Sequence, residues 1–560
     1  MRKLLVLLTF CFTVNQMSAQ LLDNLRLGLE SNMAWYNDDE KTGPFYDAVN
    51  NDGDKHLRVN SYLKLDYNFL ENFTATVQLE SYEPLALLNY SPNFDGTNLG
   101  IYSLNYRSDK FEANAGHYYE QFGSGLILRN WEDRQLGLNN ALLGGRVKYK
   151  PTDFLSVTGL YGKQRVGFET ADSDIFGFNT EIDISTIFKF ENSSLNLGFS
   201  YVGRQEKTDV ADPNFDELTN AFSGRVDFSK GSFYANAEYV AKSDDVYVFN
   251  GQVINNFVNP GSALLFNTGF SKKGFGLDAT FRRLENMGFY SEREKTGNVF
   301  LENNINFTPA LTKQHDYLLT NIFVYQAQSQ VVFADPELME AGEIGGQLDV
   351  FYNIKKGTAL GGKYGTKLAF NASYWAGLKG DYDFGNLSYD VDYFGFGDKY
   401  FSDVSLEIRK KWNKKVNSIF YYVNQYYNQR TIEDNFSGEQ IKTNIVVGET
   451  IYKFGKIGQS VRLELQKMWS SSDKHDWVGG TLEYNASPRL SFYVNDIYNS
   501  GDDSSTSKNH YYNFGGSFNK GTTRFSLNYG RQRAGLVCVG GVCRFVPEAT
   551  GLSASLLMSF

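Results

Sequence analysis

His56-Leu57-Arg58-Val59-Asn60-Ser61-Tyr62-Leu63-Lys64-Leu65-Asp66-Tyr67-Asn68-Phe69 changes character at nearly every step. The odd positions carry Leu57, Val59, Leu63, Leu65, Tyr67 and Phe69, and the even ones include Arg58, Asn60, Lys64, Asp66 and Asn68. Successive side chains of a strand point to opposite faces, so this segment has one apolar and one charged face. The same split returns in Val404, Leu406 and Ile408 against Glu407 and Arg409. It recurs in Val461, Leu463 and Leu465 against Arg462, Glu464 and Gln466, and in Phe525, Leu527 and Tyr529 against Arg524, Ser526 and Asn528. The pattern starts by Leu25, and no segment reads convincingly as an amphipathic helix.

A soluble sandwich also alternates, so the connections decide between sandwich and barrel. Short links rich in Lys, Gly, Asp or Asn fall at 70–72, 108–110, 151–153, 229–231, 271–274, 413–415, 454–458, 487–489 and 519–521. Between them lie mostly longer, often acidic links, among them 37–54, 84–96, 119–142, 243–259, 379–400 and 500–507. With both termini on one side, the short links share that side and the long links the other. That asymmetry belongs to an outer-membrane barrel, with short periplasmic turns and long external loops. The reading is all-β: a single large antiparallel transmembrane β-barrel of about 26 strands, within an even range of roughly 22 to 26. The stretches 298–307 and 366–400 are the least regular parts of that count. At about 10 residues per crossing strand, no room remains for a large extra domain.

Composition agrees. The 560 residues include 45 Phe, 37 Tyr, 6 Trp and 53 Gly but only 10 Pro, which suits strands and tight turns. The hydrophobic fraction is 42% with a mean hydropathy of −0.39, and the longest apolar run, Leu4 to Val14, is too short for a spanning helix. A net charge of −10 argues against nucleic acid as a partner. Five His and three Cys leave little material for a metal cluster, and no cofactor is expected.

Arg2 and Lys3 precede that apolar run, and Ser18-Ala19 before Gln20 offers small residues to a peptidase. Residues 1–19 read as a secretory signal peptide and 20–560 as the barrel. At the other end, Leu556-Leu557-Met558-Ser559-Phe560 closes an alternating strand on an aromatic, and Phe560 resembles the signal read by the barrel assembly machinery. Its plain alternative is an ordinary strand end.

Cys538-Val539-Gly540-Gly541-Val542-Cys543 is the sharpest local motif. Gly540-Gly541 allows a two-residue turn that places Cys538 opposite Cys543, within disulfide reach in an oxidising compartment. A staple at an external hairpin tip is expected; no second ligand pair lies nearby for a metal. The link from Glu120 to Leu138 is too apolar for a solvated loop. It is expected to fold into the lumen as a constriction, with Arg129, Glu132, Asp133 and Arg134 meeting the charged inner wall. Packing on neighbouring external loops is the alternative. Asn50-Asn51-Asp52-Gly53-Asp54, Asp502-Asp503 and Asp38-Asp39-Glu40 offer oxygen donors without completing a calcium loop, so they read as solvated acidic loops. His117 and Ser124 are close in sequence, but no Ser–His–acid set follows, and the chain does not read as an enzyme.

The stretches Gly116-His117-Tyr118-Tyr119-Glu120-Gln121-Phe122-Gly123-Ser124-Gly125-Leu126-Ile127-Leu128-Arg129 and Gly530-Arg531-Gln532-Arg533-Ala534-Gly535-Leu536-Val537-Cys538-Val539-Gly540-Gly541-Val542-Cys543-Arg544 carry a resemblance. The chain resembles a family of uncharacterised, porin-like outer-membrane barrels from Bacteroidetes-type bacteria. The resemblance implies location and fold, and no activity. Two functions compete: a porin-like channel or transport barrel for small polar solutes, read from the polar inner face, or, as the resemblance to barrels of such bacteria implies, an accessory or scaffold barrel of a type IX secretion or surface-assembly complex. Expected partners are outer-membrane lipid, lipopolysaccharide and the assembly machinery. A barrel this wide would leak unless loops, a plug or a secretion-system protein filled it. An energy-coupled importer fits poorly, because strand pattern by Leu25 leaves no space for an N-terminal plug domain. The disulfide reading makes a direct prediction: mass spectrometry of protein from intact envelopes will find neither Cys538 nor Cys543 alkylated without prior reduction.

Overall fold

In hydrocarbon every backbone N–H and C=O must find a partner within the protein, so a sheet that crosses a bilayer has to close on itself. The computed structural model describes residues 24–42, 56–87, 93–207, 216–249, 252–295, 302–455, 458–471, 475–501, 508–539 and 542–560. The signal segment 1–19, the acidic stretches 50–54 and 502–503 and the turn 540–541 lie outside the described residues.

The wall is a closed antiparallel barrel of 24 strands. Its first quarter is β1 (Leu25–Asn37), β2 (Leu57–Phe69), β3 (Phe73–Ser81), β4 (Thr97–Arg107), β5 (Phe111–Tyr118) and β6 (Leu142–Thr152). Then come β7 (Leu155–Val166), β8 (Asp174–Asp183), β9 (Ser193–Gln205), β10 (Leu218–Lys230), β11 (Phe233–Phe249) and β12 (Gln252–Lys272). The third quarter is β13 (Phe275–Glu285), β14 (Gly342–Ile354), β15 (Thr366–Asp383), β16 (Ser388–Lys411), β17 (Val416–Asn428) and β18 (Gln440–Phe454). It ends with β19 (Gln459–Ser470), β20 (Trp477–Ser487), β21 (Leu490–Asn499), β22 (His510–Lys520), β23 (Thr523–Gln532) and β24 (Ala549–Ser559). Sequence neighbours pair throughout, and β1 pairs with β24 from Gly28 opposite Ser559 to Asn37 opposite Thr550, closing the ring. Phe560 completes this seam: its N–H donates to the Leu27 carbonyl at 2.9 Å and its carbonyl accepts from the Leu27 N–H at 3.3 Å.

The strand number falls inside the expected range but two below 26. The difference lies at 298–307, whose described part leaves the wall: β13 pairs directly with β14, from Phe275 opposite Tyr352 to Glu285 opposite Gly342. The segment 286–341 between them runs elsewhere. Stretch 366–400 hides no extra hairpin. It is β15 and most of β16, of 18 and 24 residues, standing beyond the ordinary strand length. The links expected at 243–259 and 379–400 are therefore largely strand, as β11 and β12 are also drawn out to 17 and 21 residues. Two short helices, Ile184–Phe188 and Gln429–Ile432, sit in links, the first capped by Asp183, which accepts from the Thr186 N–H.

The alternation sorts the two faces. On β19, Leu465 is 61% exposed on the outside while Glu464, at 2%, and Gln466 are buried inside. Near the short turns the rings of Tyr67, Phe69, Phe73, Tyr106, Phe111 and Tyr149 touch in succession, with centroids 4.9 to 6.5 Å apart. Such a belt is an interfacial girdle, where amphipathic rings meet the headgroups. The chain is a closed transmembrane β-barrel of the outer-membrane kind.

On the opposite rim Asp39 clasps the closing seam. Its carboxylate takes Arg531 Nη2 at 2.7 Å, the Thr550 hydroxyl at 2.6 Å and the Lys41 N–H at 2.9 Å. Asp39 is thus a paired residue and not a solvated acid. Burial alone would raise its carboxyl, but Thr550, Lys41 and Arg531 outweigh burial and hold it at about 2, below the ordinary 3.8. A depressed acid stabilises the folded state above its unfolded pKa and loses that contribution as pH falls through the folded value. Amide exchange near the β1–β24 rim is therefore expected to accelerate between pH 4 and about 2. Asp39→Asn will flatten that dependence and cost on the order of 1–2 kcal/mol locally at neutral pH.

Candidate functional site

The inner wall is polar on much of its circumference, but not everywhere. Along β15 to β20 the inward positions include Trp375, Tyr421, Val423, Ile445, Met468 and Trp477, all buried. Tyr317, Leu319, Ile322, Phe323 and Tyr325 of segment 286–341 pack onto them. The described parts of this segment therefore lie inside the barrel. The uniformly wet interior expected from alternation is corrected here: the inner face turns apolar where it receives a second layer of chain. Each large side chain so buried contributes roughly 1.5–3 kcal/mol.

Polar contacts fix the segment to widely spaced strands. His315 Nε2 lies 2.8 Å from Asp403 Oδ2 on β16, and the Tyr421 hydroxyl bonds His315 Nδ1. The Leu319 N–H donates to Gln466 of β19 at 2.9 Å. Tyr325 stacks between Trp375 and Phe401, with centroids at 5.9 and 5.2 Å, and its hydroxyl donates to Glu343. Burial pushes the Tyr325 phenol up, and Glu343 pushes it further, so it remains the proton donor. Glu343 is held in turn by Arg282 at 2.6 Å, both fully buried. On the far side, Arg204 donates to the Tyr290 carbonyl at 2.8 Å and Lys242 to the Gly288 carbonyl at 2.5 Å. Arg293 Nε lies 3.0 Å from Asp245 Oδ1. Burial, and then the neighbouring Arg204, hold Arg293 down at about 10.

The link 119–141 shares the interior. Arg134 pairs with Glu30 of β1 at 2.7 Å, donates to Gln78 of β3 at 2.8 Å and lies 4.3 Å from the centroid of the Tyr62 ring. Burial disfavours its charge, but Glu132 and Glu30 reverse that and raise its pKa. Glu132 accepts from Gln78 at 3.0 Å. Asp133 turns inward on its own backbone, accepting from the Gln135 and Leu136 N–H groups. Arg129 lies 3.8 Å from the Phe307 centroid, and its N–H donates to the Ile305 carbonyl at 2.9 Å while Phe307 N–H donates to Gly125. The link and the segment thus form one lumenal body.

Cys538 stands opposite Cys543 in the two-stranded hairpin Gly535–Val539 and Val542–Val546. That hairpin rests on the lumenal body: Cys543 Sγ lies 3.9 Å from the Tyr325 carbonyl, and Leu536 and Val546 are buried. Phe560 sits at the seam and is 66% exposed. His117 and Ser124 are not brought together. The His117 ring contacts the Tyr102 backbone at 3.3 Å, and the Ser124 N–H donates to Glu238.

Sequence reasoning missed segment 286–341, although its signal was present. Tyr317-Leu318-Leu319 and Ile322-Phe323-Val324-Tyr325 are apolar runs without period two, in a stretch too long for a periplasmic turn.

The model of the family of unknown function DUF6029 matches residues 1–560. The chain belongs to DUF6029. Among curated proteins, none matches it in sequence. Solved structures are similar only at the level of a barrel. The siderophore receptor PirA from Pseudomonas aeruginosa aligns over 96% of this chain and 80% of its own, at 10% identity and a TM-score of 0.39. A BenF-like porin from Pseudomonas fluorescens Pf-5 aligns over 96% and 99%, at 9% identity and 0.36. OccK3 (OpdO) of Pseudomonas aeruginosa aligns over 97% and 98%, at 10% identity and 0.34.

Removing one member of a buried pair strands the other charge, at roughly 3–5 kcal/mol. Glu343→Ala leaves Arg282 unpaired and Tyr325 without its acceptor. It is expected to lower stability to urea unfolding in detergent by that order, and more than Glu407→Ala on the same barrel.

Proposed function

We propose that the protein is an outer-membrane transport barrel for small polar solutes, closed at rest by its own lumenal body. The single observation behind this is that described parts of segment 286–341 pack against the inner wall while the wall pairs without them, β13 directly to β14. Displacing the segment would break its packing and its own hydrogen bonds to the wall and to link 119–141, but no rung of the wall. The link carrying Arg129, Glu132, Asp133 and Arg134 acts in this reading as the constriction beside the segment, joined to it through Arg129 and Phe307. The Cys538–Cys543 hairpin, closed by a disulfide, caps the same body. Assembly machinery reads Phe560, and lipopolysaccharide surrounds the long-loop rim.

A second reading, a scaffold in a type IX secretion or surface-assembly complex, draws on the long β15–β16 hairpin. Tyr393, Phe394 and Phe396 are exposed there. Stoichiometric co-purification of secretion components would favour this reading over the first.

Planar-bilayer recording tests the channel. The wild-type barrel is expected to show small, infrequent conductance steps. Deletion of 125–137, or His315→Ala combined with Tyr325→Ala, should enlarge or multiply them. Unchanged current from a folded, inserted variant would count against a closed channel.

A further inference from the structure

Between segment 286–341 and the wall lies a cavity of about 300 Å3, at the small end of sites that take organic ligands. Its charged lining is Lys313, Asp316, Asp403 and Arg533, and the last two have hydrogen-bonding capacity that the protein leaves unmet. Asp403 is only 1% exposed. Its Oδ2 lies 2.8 Å from His315 Nε2 and accepts from Gln425 at 2.9 Å, whereas its Oδ1 is buried with no hydrogen-bond partner. With the Tyr421 hydroxyl at Nδ1 and Asp403 Oδ2 at Nε2, both ring nitrogens of His315 are engaged within the protein. A buried carboxylate oxygen without a donor is costly unless something else supplies one.

Arg533 is the counterpart. It is half-buried and donates to the Ile322 carbonyl at 3.3 Å, and Glu433 and Glu548 favour its charge through space without a hydrogen bond to it among the described residues. The backbone makes room for it: a Cβ at Gly535, where φ is +137°, would stand 2.9 Å from Arg533 Nη1. Only glycine tolerates both that dihedral and that approach. Phe323, Tyr325 and Phe401 add an aromatic wall to the same cavity.

An oxygen that needs a donor, a fork of donors that needs a carboxylate, and an aromatic wall are complementary to one kind of molecule. We propose that the cavity binds a small α-amino acid with an apolar or aromatic side chain. On binding, the Asp403 carboxylate turns Oδ1 toward the cavity to take its ammonium, Arg533 takes its carboxylate, and its side chain lies among Phe323, Tyr325 and Phe401. Binding stands on the cavity alone. Its place on a transport route rests on the channel reading above.

Titration calorimetry on the purified full-length barrel in detergent tests this with three probes: L-phenylalanine, hydrocinnamate, which lacks the ammonium, and phenethylamine, which lacks the carboxylate. L-Phenylalanine should bind about ten- to hundredfold tighter than either analogue, as expected for losing a bond to a charged group. Arg533→Gln should weaken L-phenylalanine and hydrocinnamate by about that factor and leave phenethylamine unchanged. Asp403→Asn should weaken L-phenylalanine and phenethylamine and spare hydrocinnamate. Absence of L-phenylalanine binding, or equal affinity for all three probes, overturns the proposal. Equal weakening of all three probes by both folded variants also overturns it. Should either variant fail to fold, the probe series on the wild type decides alone. Selective binding by a barrel that never conducts supports the site and removes only the transport role.

Discussion

The whole molecule answers to the absence of water in hydrocarbon. Backbone groups that cannot reach solvent force every strand to pair on both edges, and so force the ring to close. At 24 strands the ring is too wide for its own side chains to fill. The chain meets this second consequence with itself, turning the link after β13 and the link after β5 inward until they meet at Arg129 and Phe307.

That solution reshapes the wall. Positions such as Ile445, Val447 and Tyr421 point inward and are apolar because they meet protein and not water. Elsewhere the inner face carries ions that pair across strands, as Arg165 with Glu80 at 2.6 Å, both fully buried. Buried pairs of this kind are weak evidence for stability but strong evidence for register, since removing either partner strands a charge. Aromatic packing on one side of the lumen and ion pairs on the other hold the lumenal body between unlike surfaces.

Much of this was legible in the sequence, and for a stated reason. Period two depends only on which side of a strand meets lipid, so β2, β19 and β23 declared themselves, and the contrast of short and long links gave the sidedness. The lumenal segment was not legible by the same rule, because its residues answer to neighbours far away in sequence: Leu319 to Gln466, His315 to Asp403. An apolar link is a question about what covers it. The apolar link Glu120 to Leu138 raises that question openly, whereas Tyr317 to Tyr325 lies beside a stretch, 298–307, whose pattern suggests another crossing. Asp403 and Arg533 carry no motif and become visible only once a cavity brings them together.

Because Glu285 and Gly342 stand opposite each other at the mouth of the inserted segment, its two ends leave the wall side by side. The segment is therefore a detachable module in the genetic sense. Its length can change without altering the strand pairing of the cylinder around it, while the residues that meet Asp403, Gln466 and Trp375 stay tied to the surfaces they cover.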